Sequence, residues 1–195
     1  MSRESILSRL QRGECLLLDG GIGSELQCRG VDLTKGTLSE KTIGAWSATA
    51  VEDAPDMLRA VHEDYLNVGA DIITTNTFWT NRTRLGLVGL ADQAEHFTRS
   101  SVQIATKARD KLNPNAYVAG SVAPSATQTH DSTAGTLPRL PGRLDLECEI
   151  AAHVQVVADA GADLLLLEFF DNIADTAKAV TAVNDIDLPI FIGLC

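Results

Sequence analysis

Two carboxylates stand out by where the sequence puts them. Glu168 closes the run Leu164-Leu165-Leu166-Leu167-Glu168-Phe169-Phe170. A carboxylate at the end of so apolar a strand is costly unless it is paired or serves a site. A substrate ammonium would suit it, and a solvated strand end is the plainer alternative. Asp19 opens Asp19-Gly20-Gly21-Ile22-Gly23-Ser24-Glu25-Leu26, directly after a short apolar run. Its glycines let the backbone turn tightly and come close to a ligand, and exposed N–H groups there suit a carboxylate or phosphate. A tight strand-to-helix turn explains the same residues equally well. The segment is not a dinucleotide fingerprint, because the third small residue that Gly21-x-Gly23 requires would fall at Leu26.

A third segment is Thr74-Thr75-Asn76-Thr77-Phe78-Trp79. Small hydroxyl and amide groups followed by two aromatics suit a polar pocket with an apolar wall. They also suit a β-branched strand end with core aromatics. Gly120-Ser121-Val122-Ala123-Pro124 is a weaker signal, in which Gly120 permits close approach and Pro124 ends a strand. His130 lies in a polar loop, and His62, His96 and His153 fall within helical patterns, where a surface or boundary position is expected. Gly-x-Ser-x-Gly is absent, so a Ser-His-Asp hydrolase has no support. Cys15, Cys28, Cys148 and Cys195 show no CxxC spacing and read as reduced thiols. Cys195 ends an apolar run and could serve zinc as a thiolate. Such a site needs three or four ligands, none of which is evident in the spacing, so a buried thiol is expected and no residue is assigned to a metal.

The elements that must position these residues alternate. Apolar runs at Cys15–Leu18, Ile72–Thr75, Tyr117–Val122, Leu164–Phe169 and Ile190–Leu194 are strand-length and apolar on consecutive positions, as in a parallel sheet covered on both faces. Between them lie helical patterns: one opening at Pro55 and stopping at Gly69, one from about Gln93 to Leu112, one from Leu146 to Gly161, and one capped by Asn172. Gly69-Ala70-Asp71 and Gly161-Ala162-Asp163 each precede a strand, a weak internal repeat. Repeated βα units imply a doubly wound sheet or a (β/α)8 barrel. In both, the C-terminal ends of the strands are the functional end. Two long loops, about Gly30–Ala54 and Ala123–Asp145, leave strands there.

The chain has 195 residues, 45% hydrophobic and 22% charged, with 16 basic and 26 acidic side chains giving a net charge of −10. This is globular composition, and one domain over residues 1–195 is expected. The negative charge argues against nucleic acid and anionic membrane as partners. No apolar run approaches a membrane span and the N-terminus lacks an apolar h-region, so a cytoplasmic protein is expected.

Taken in order, Leu17–Leu26, Gly69–Phe78, Ala119–Pro124 and Gly161–Glu168 resemble the homocysteine S-methyltransferase family, whose members transfer a methyl group from S-methylmethionine, S-adenosylmethionine or betaine to homocysteine, giving methionine. The resemblance implies a (β/α)8 barrel in which zinc, held by three cysteine thiolates, lowers the thiol pKa of homocysteine and makes a nucleophile at neutral pH. It also implies roles here. Asp19, Gly20 and Gly21 would line the homocysteine pocket, Glu168 would hold its ammonium, Thr77 would form the pocket wall, and Trp79 would lie near the donor. The loop Ser125–Arg139 would shape donor choice.

One departure is large. The family's zinc cysteines lie in Gly-x-Asn-Cys and Gly-Gly-Cys-Cys stretches, and neither occurs here. With five strand runs against a barrel's eight and about 250 residues, the expectation is the N-terminal part of such a barrel, its first five βα units, inactive alone and open at two sheet edges that invite oligomerisation. Two rivals remain: a non-catalytic half-barrel that binds or interacts, and an unrelated βα enzyme using Asp19 and Glu168 as acid/base or as ligands for a hard metal.

Overall fold

The computed structural model describes residues 3–35, 44–124, 145–170 and 172–194. The loop Ser125–Arg139, with His130, and Cys195 lie outside them. Four of the apolar runs form parallel strands: β1 (Ile72–Thr74), β2 (Tyr117–Val122), β3 (Leu164–Phe170) and β4 (Ile190–Leu194). Their order in space is β1-β2-β3-β4, the order of the chain. A doubly wound sheet reverses its strand order at a switch point; this one runs in a single direction, as a barrel wall does.

The run Cys15–Leu18, expected as a full strand, is reduced to one parallel bridge between Leu18 and Ile72. Leu17 O accepts from the amides of Asp71 and Ile72, and Asp19 N donates to Ile72 O. Its one neighbour in the sheet is only three residues long, so a longer ladder has nothing to pair with.

Among the described residues, eight α-helices connect and flank these strands: α1 (Ile6–Gln11), α2 (Ile22–Cys28), α3 (Ala50–Asp53), α4 (Pro55–Asn67), α5 (Arg82–Gly86), α6 (Ala94–Leu112), α7 (Leu146–Asp159) and α8 (Ile173–Ala182). The four longest are those the periodicity predicts. Pro55 occupies the first turn of α4, and Asn172 Oδ1 accepts from Asp175 N at 2.8 Å at the start of α8. Gly69 and Gly161 follow α4 and α7 with φ of +100° and +102°, left-handed conformations that favour glycine. The remaining helices have seven residues or fewer, too short for a period to show.

Side-chain alternation sorts the sheet into two faces. Ile73, Val118, Leu165 and Leu167 point outward and pack under the helices. Ile72, Tyr117, Ala119 and Leu164 point inward, where Ile6 of α1 closes over them. Two histidines differ from expectation. His62 on α4 and His153 on α7 are buried, whereas His96 is exposed and bonds Glu52. Burial pushes both His62 and His153 down to about 4, so they are neutral imidazoles that behave as core side chains.

The repeated Gly-Ala-Asp motif explains itself at the N-terminal end of the sheet. Asp71 accepts the amide of Leu17 at 3.0 Å and pairs with Arg9. Asp163 accepts the amide of Val118 at 2.7 Å and pairs with Arg3 and Arg109 at 2.5 and 2.6 Å. Each aspartate thereby latches its own strand to the preceding one.

Candidate functional site

The inward alternation that begins with Ile72, Tyr117 and Leu164 ends, at the C-terminal rim, on polar residues: Thr74, Ser121 and Glu168. A β-bulge completes the arrangement. Leu167 pairs with Ile192 and Phe170 with Leu194, so β3 takes three steps while β4 takes two. Phe169 absorbs the extra residue with a φ of +64°, a strained conformation for an aromatic residue. Its ring is exposed and meets Phe78 edge-on, with centroids 5.7 Å apart.

Asp19 is held from one side. Thr74 donates its amide to Oδ2 at 2.8 Å, and its hydroxyl lies 3.1 Å from Oδ1. Burial pushes Asp19 up to about 7; the Thr74 bonds oppose the shift, and the nearby Glu168 charge adds to it. Glu168 accepts the Ser121 hydroxyl at 2.5 Å, and burial raises its pKa against that bond. Among the described residues, neither carboxylate pairs with a lysine or arginine. Two half-buried acids that repel one another without a cation among the described residues have the chemistry to accept one.

They share a cleft of about 490 Å³. Asp19, Gly20, Gly21 and Glu168 line it, together with Thr74, Asn76, Ser121, Trp46, Phe78 and Phe169. Thr77 and Trp79 do not reach it. Thr77 is fully buried behind the wall, where it donates to Ser121 O at 2.6 Å. Trp79 turns into the core, with the Arg84 guanidinium 3.5 Å from its ring centroid. In this irregular segment Phe78 faces the cleft and its two neighbours lie behind it.

Sequence reasoning offered Phe78 as one of two wall aromatics but gave no role to Trp46, Ser121 or Phe169. For Ser121 a signal existed, a polar residue at an inward position of the apolar strand Tyr117–Val122. For Trp46 none did. It sits in a 3-10 turn with φ +49°, and its indole lies so near Gly23 that a Cβ there would come within 2.1 Å of Nε1. The glycine-rich turn is thus needed for an aromatic wall as well as for tightness. A larger surface hollow of about 610 Å³ near Arg29, Lys35 and Asp53 has its charges paired: Lys35 with Asp53, and Arg29 with Glu25 and Asp64.

The described residues do not fit a thiolate zinc site. Cys15, Cys28 and Cys148 are exposed free thiols, and no group of three or more His, Cys, Asp or Glu converges among the described residues. Asp19 and Glu168 alone are two donors where zinc takes three or four.

The family model for homocysteine S-methyltransferase matches residues 16–195. Homocysteine S-methyltransferase 4 of Zea mays is 31% identical over 176 residues, 83% of this chain and 49% of that protein. The homocysteine S-methyltransferase of Escherichia coli (strain K12) is 31% identical over 180 residues, 85% of this chain and 53% of that protein. The crystal structure of the Escherichia coli homocysteine methyltransferase MmuM in its metallated form superimposes with a TM-score of 0.67 at 28% identity. That match covers 91% of this chain and 63% of that one. The chain therefore spans about half the length of the curated relatives it matches. With its parallel sheet, its rim of two uncompensated carboxylates and a family match over nearly its whole length, the chain belongs to the homocysteine S-methyltransferase family.

Proposed function

We propose that this chain forms the homocysteine-holding wall of a (β/α)8 barrel, and that the cleft binds the amino-acid part of homocysteine for methyl transfer from an onium donor. The observation that carries this reading is the pair Asp19 and Glu168, two acids in one cleft with no cation of their own among the described residues. The substrate ammonium supplies the missing charge. The same cleft is lined by Ile22, Gly23 and Ser24 in the first turn of α2, whose leading N–H groups lack intrahelical acceptors and suit the α-carboxylate. S-methylmethionine, S-adenosylmethionine and betaine all carry a sulfonium or quaternary ammonium charge, and the faces of Trp46, Phe78 and Phe169 suit such cations.

The described residues hold and orient the amino acid; activating its thiol is not among the things they can do. We therefore expect binding without turnover from this chain alone. Leu17, Leu18 and Ile192 are exposed along the two flanks of the sheet, which favours self-association through them. Three free thiols suit the reducing cytoplasm.

Calorimetry with homocysteine at pH 7.5 tests the binding. The chain should bind, and Glu168→Gln should weaken binding by about 30- to 100-fold, the loss of one charge-assisted hydrogen bond. Equal affinity in both proteins overturns the assignment of Glu168. Methionine formation from S-methylmethionine and homocysteine with stoichiometric zinc should stay at background, and turnover would overturn that part of the proposal.

A further inference from the structure

Behind Glu168 lies a set of hydroxyls whose protons can be assigned by counting. Thr75, Thr77 and Ser121 are all buried, at 2%, 0% and 2% exposure. Ser121 N donates to Thr75 Oγ1 at 3.1 Å. Thr77 Oγ1 lies 2.6 Å from Ser121 O, a carbonyl that can only accept, so the single Thr77 proton is spent there. Thr75 Oγ1 lies 2.6 Å from Thr77 Oγ1. With Thr77's proton used, Thr75 must donate. The bonds therefore run in one direction, from Ser121 N to Thr75, from Thr75 to Thr77, and from Thr77 back to Ser121 O.

Two further bonds anchor this ring. Thr75 N donates to Ala119 O at 2.9 Å, continuing the β1–β2 ladder past Thr74. His153 Nε2 lies 3.1 Å from Thr77 O, again a carbonyl, so Nε2 carries the proton and α7 is tied to the ring. Both backbone groups of Ser121 are clamped, and its hydroxyl proton points to Glu168 Oε1 at 2.5 Å.

We infer that Thr75, Thr77 and Ser121 form a closed hydrogen-bond ring that presents the Ser121 hydroxyl as a fixed donor to Glu168, making Ser121 the positioning residue for the carboxylate that receives the ligand cation. The inference deepens the reading of Glu168 as the ammonium partner and rests on it. Chemically, Ser121 occupies Oε1 and leaves Oε2 for the ligand. It also stabilises the ionised carboxylate where burial and the neighbouring Asp19 disfavour it. The titratable group facing Glu168 is Asp19 beside β1. From β2 the neighbour is Ser121, and from β4 it is Gly193, 3.8 Å from the Glu168 Cβ at its own Cβ position.

The test follows the Glu168 carboxyl directly by ¹³C NMR in the chain labelled at glutamate, with the resonance identified by its loss in Glu168→Gln. Ser121→Ala should move the Glu168 titration midpoint up by about one pH unit, the weight of one hydrogen bond to a charged group. Ser121→Thr, which keeps the hydroxyl, should restore it. Thr77→Val, isosteric and outside the cleft, should give a smaller upward shift through the loosened ring. A midpoint unchanged in Ser121→Ala overturns the inference. Should Ser121→Ala fail to fold, an unchanged midpoint in Thr77→Val does so. Homocysteine affinity at pH 7 is read on the same proteins and should fall about tenfold in Ser121→Ala. A shifted midpoint in a protein that binds no homocysteine would uphold the positioning role and overturn the substrate reading instead.

Discussion

The two ends of the sheet use the same residue types for opposite purposes. At the N-terminal end, Asp71 and Asp163 each accept a backbone amide from the neighbouring strand and each pair with arginine, Asp163 with two. At the C-terminal end, Asp19 and Glu168 likewise accept from a neighbouring strand's residue, Thr74 and Ser121. There no arginine or lysine follows among the described residues. In the first pair every charge is compensated, and the carboxylates hold strands together. In the second the geometry is as well defined but the charge is left over, and the surplus is available to a ligand. The two ends of this sheet thus differ in which carboxylates have an arginine among the described residues.

The largest expected effect comes from breaking the compensated end. Asp163→Ala leaves Arg3, Arg109 and the Val118 amide without their acceptor and should cost about 3 kcal/mol in urea unfolding. Homocysteine affinity of the folded protein should be unchanged, and a loss below about 1 kcal/mol would remove the structural half of the contrast.

A smaller effect of opposite sign comes from the uncompensated end. Asp19 has its folded pKa raised from 3.8 to about 7, so the folded state holds a proton that the unfolded state releases. Its favourable contribution is complete below pH 3.8 and is lost as pH rises to about 7. Asp19→Asn should therefore be more stable than the parent by about 1 kcal/mol at pH 8, with the gap closing toward pH 4. Urea melts at both pH values check this, and a variant less stable at pH 8 would show that Asp19 is structural like Asp163.

The smallest effect concerns a buried group with neither charge nor partner. Both ring nitrogens of His62 lack a hydrogen-bond partner among the described residues, and burial holds its pKa near 4 against 6.5. The folded state thus binds fewer protons than the unfolded one, and stability is lost as pH falls from 6.5 through 4. His62→Leu should gain about 0.5 kcal/mol at pH 7, with the gain widening toward pH 5. No gain at pH 5 would mean that His62 is solvated on opening of α4 rather than locked in the core.

Much of the scaffold was legible in the residues. Long helices announce themselves by a repeated apolar face, and strands buried on both sides by an unbroken apolar run, because each pattern reflects contacts repeated many times along one element. The Gly-Ala-Asp repeat was visible as a pattern, but its meaning was not. That the aspartates latch adjacent strands depends on arginines as much as 160 residues away. Asp19, Gly20, Gly21 and Glu168, each locally out of character at the end of an apolar run, line one cleft. The resemblance implied a place at the pocket wall for Thr77 and near the donor for Trp79, yet both side chains lie behind the cleft, since in an irregular segment no period dictates which side chain faces which way.

The sequence by itself determined the alternation of elements and set two acids at the ends of apolar runs. Both follow from local hydrophobic order along single elements. Only the tertiary structure decided that these acids share one cleft, that no cation accompanies them among the described residues, and that Ser121, Trp46 and Phe169 complete it. The reason is physical: pairing, burial and proton direction are properties of groups brought together from distant parts of the chain, and they do not exist until the strands are side by side.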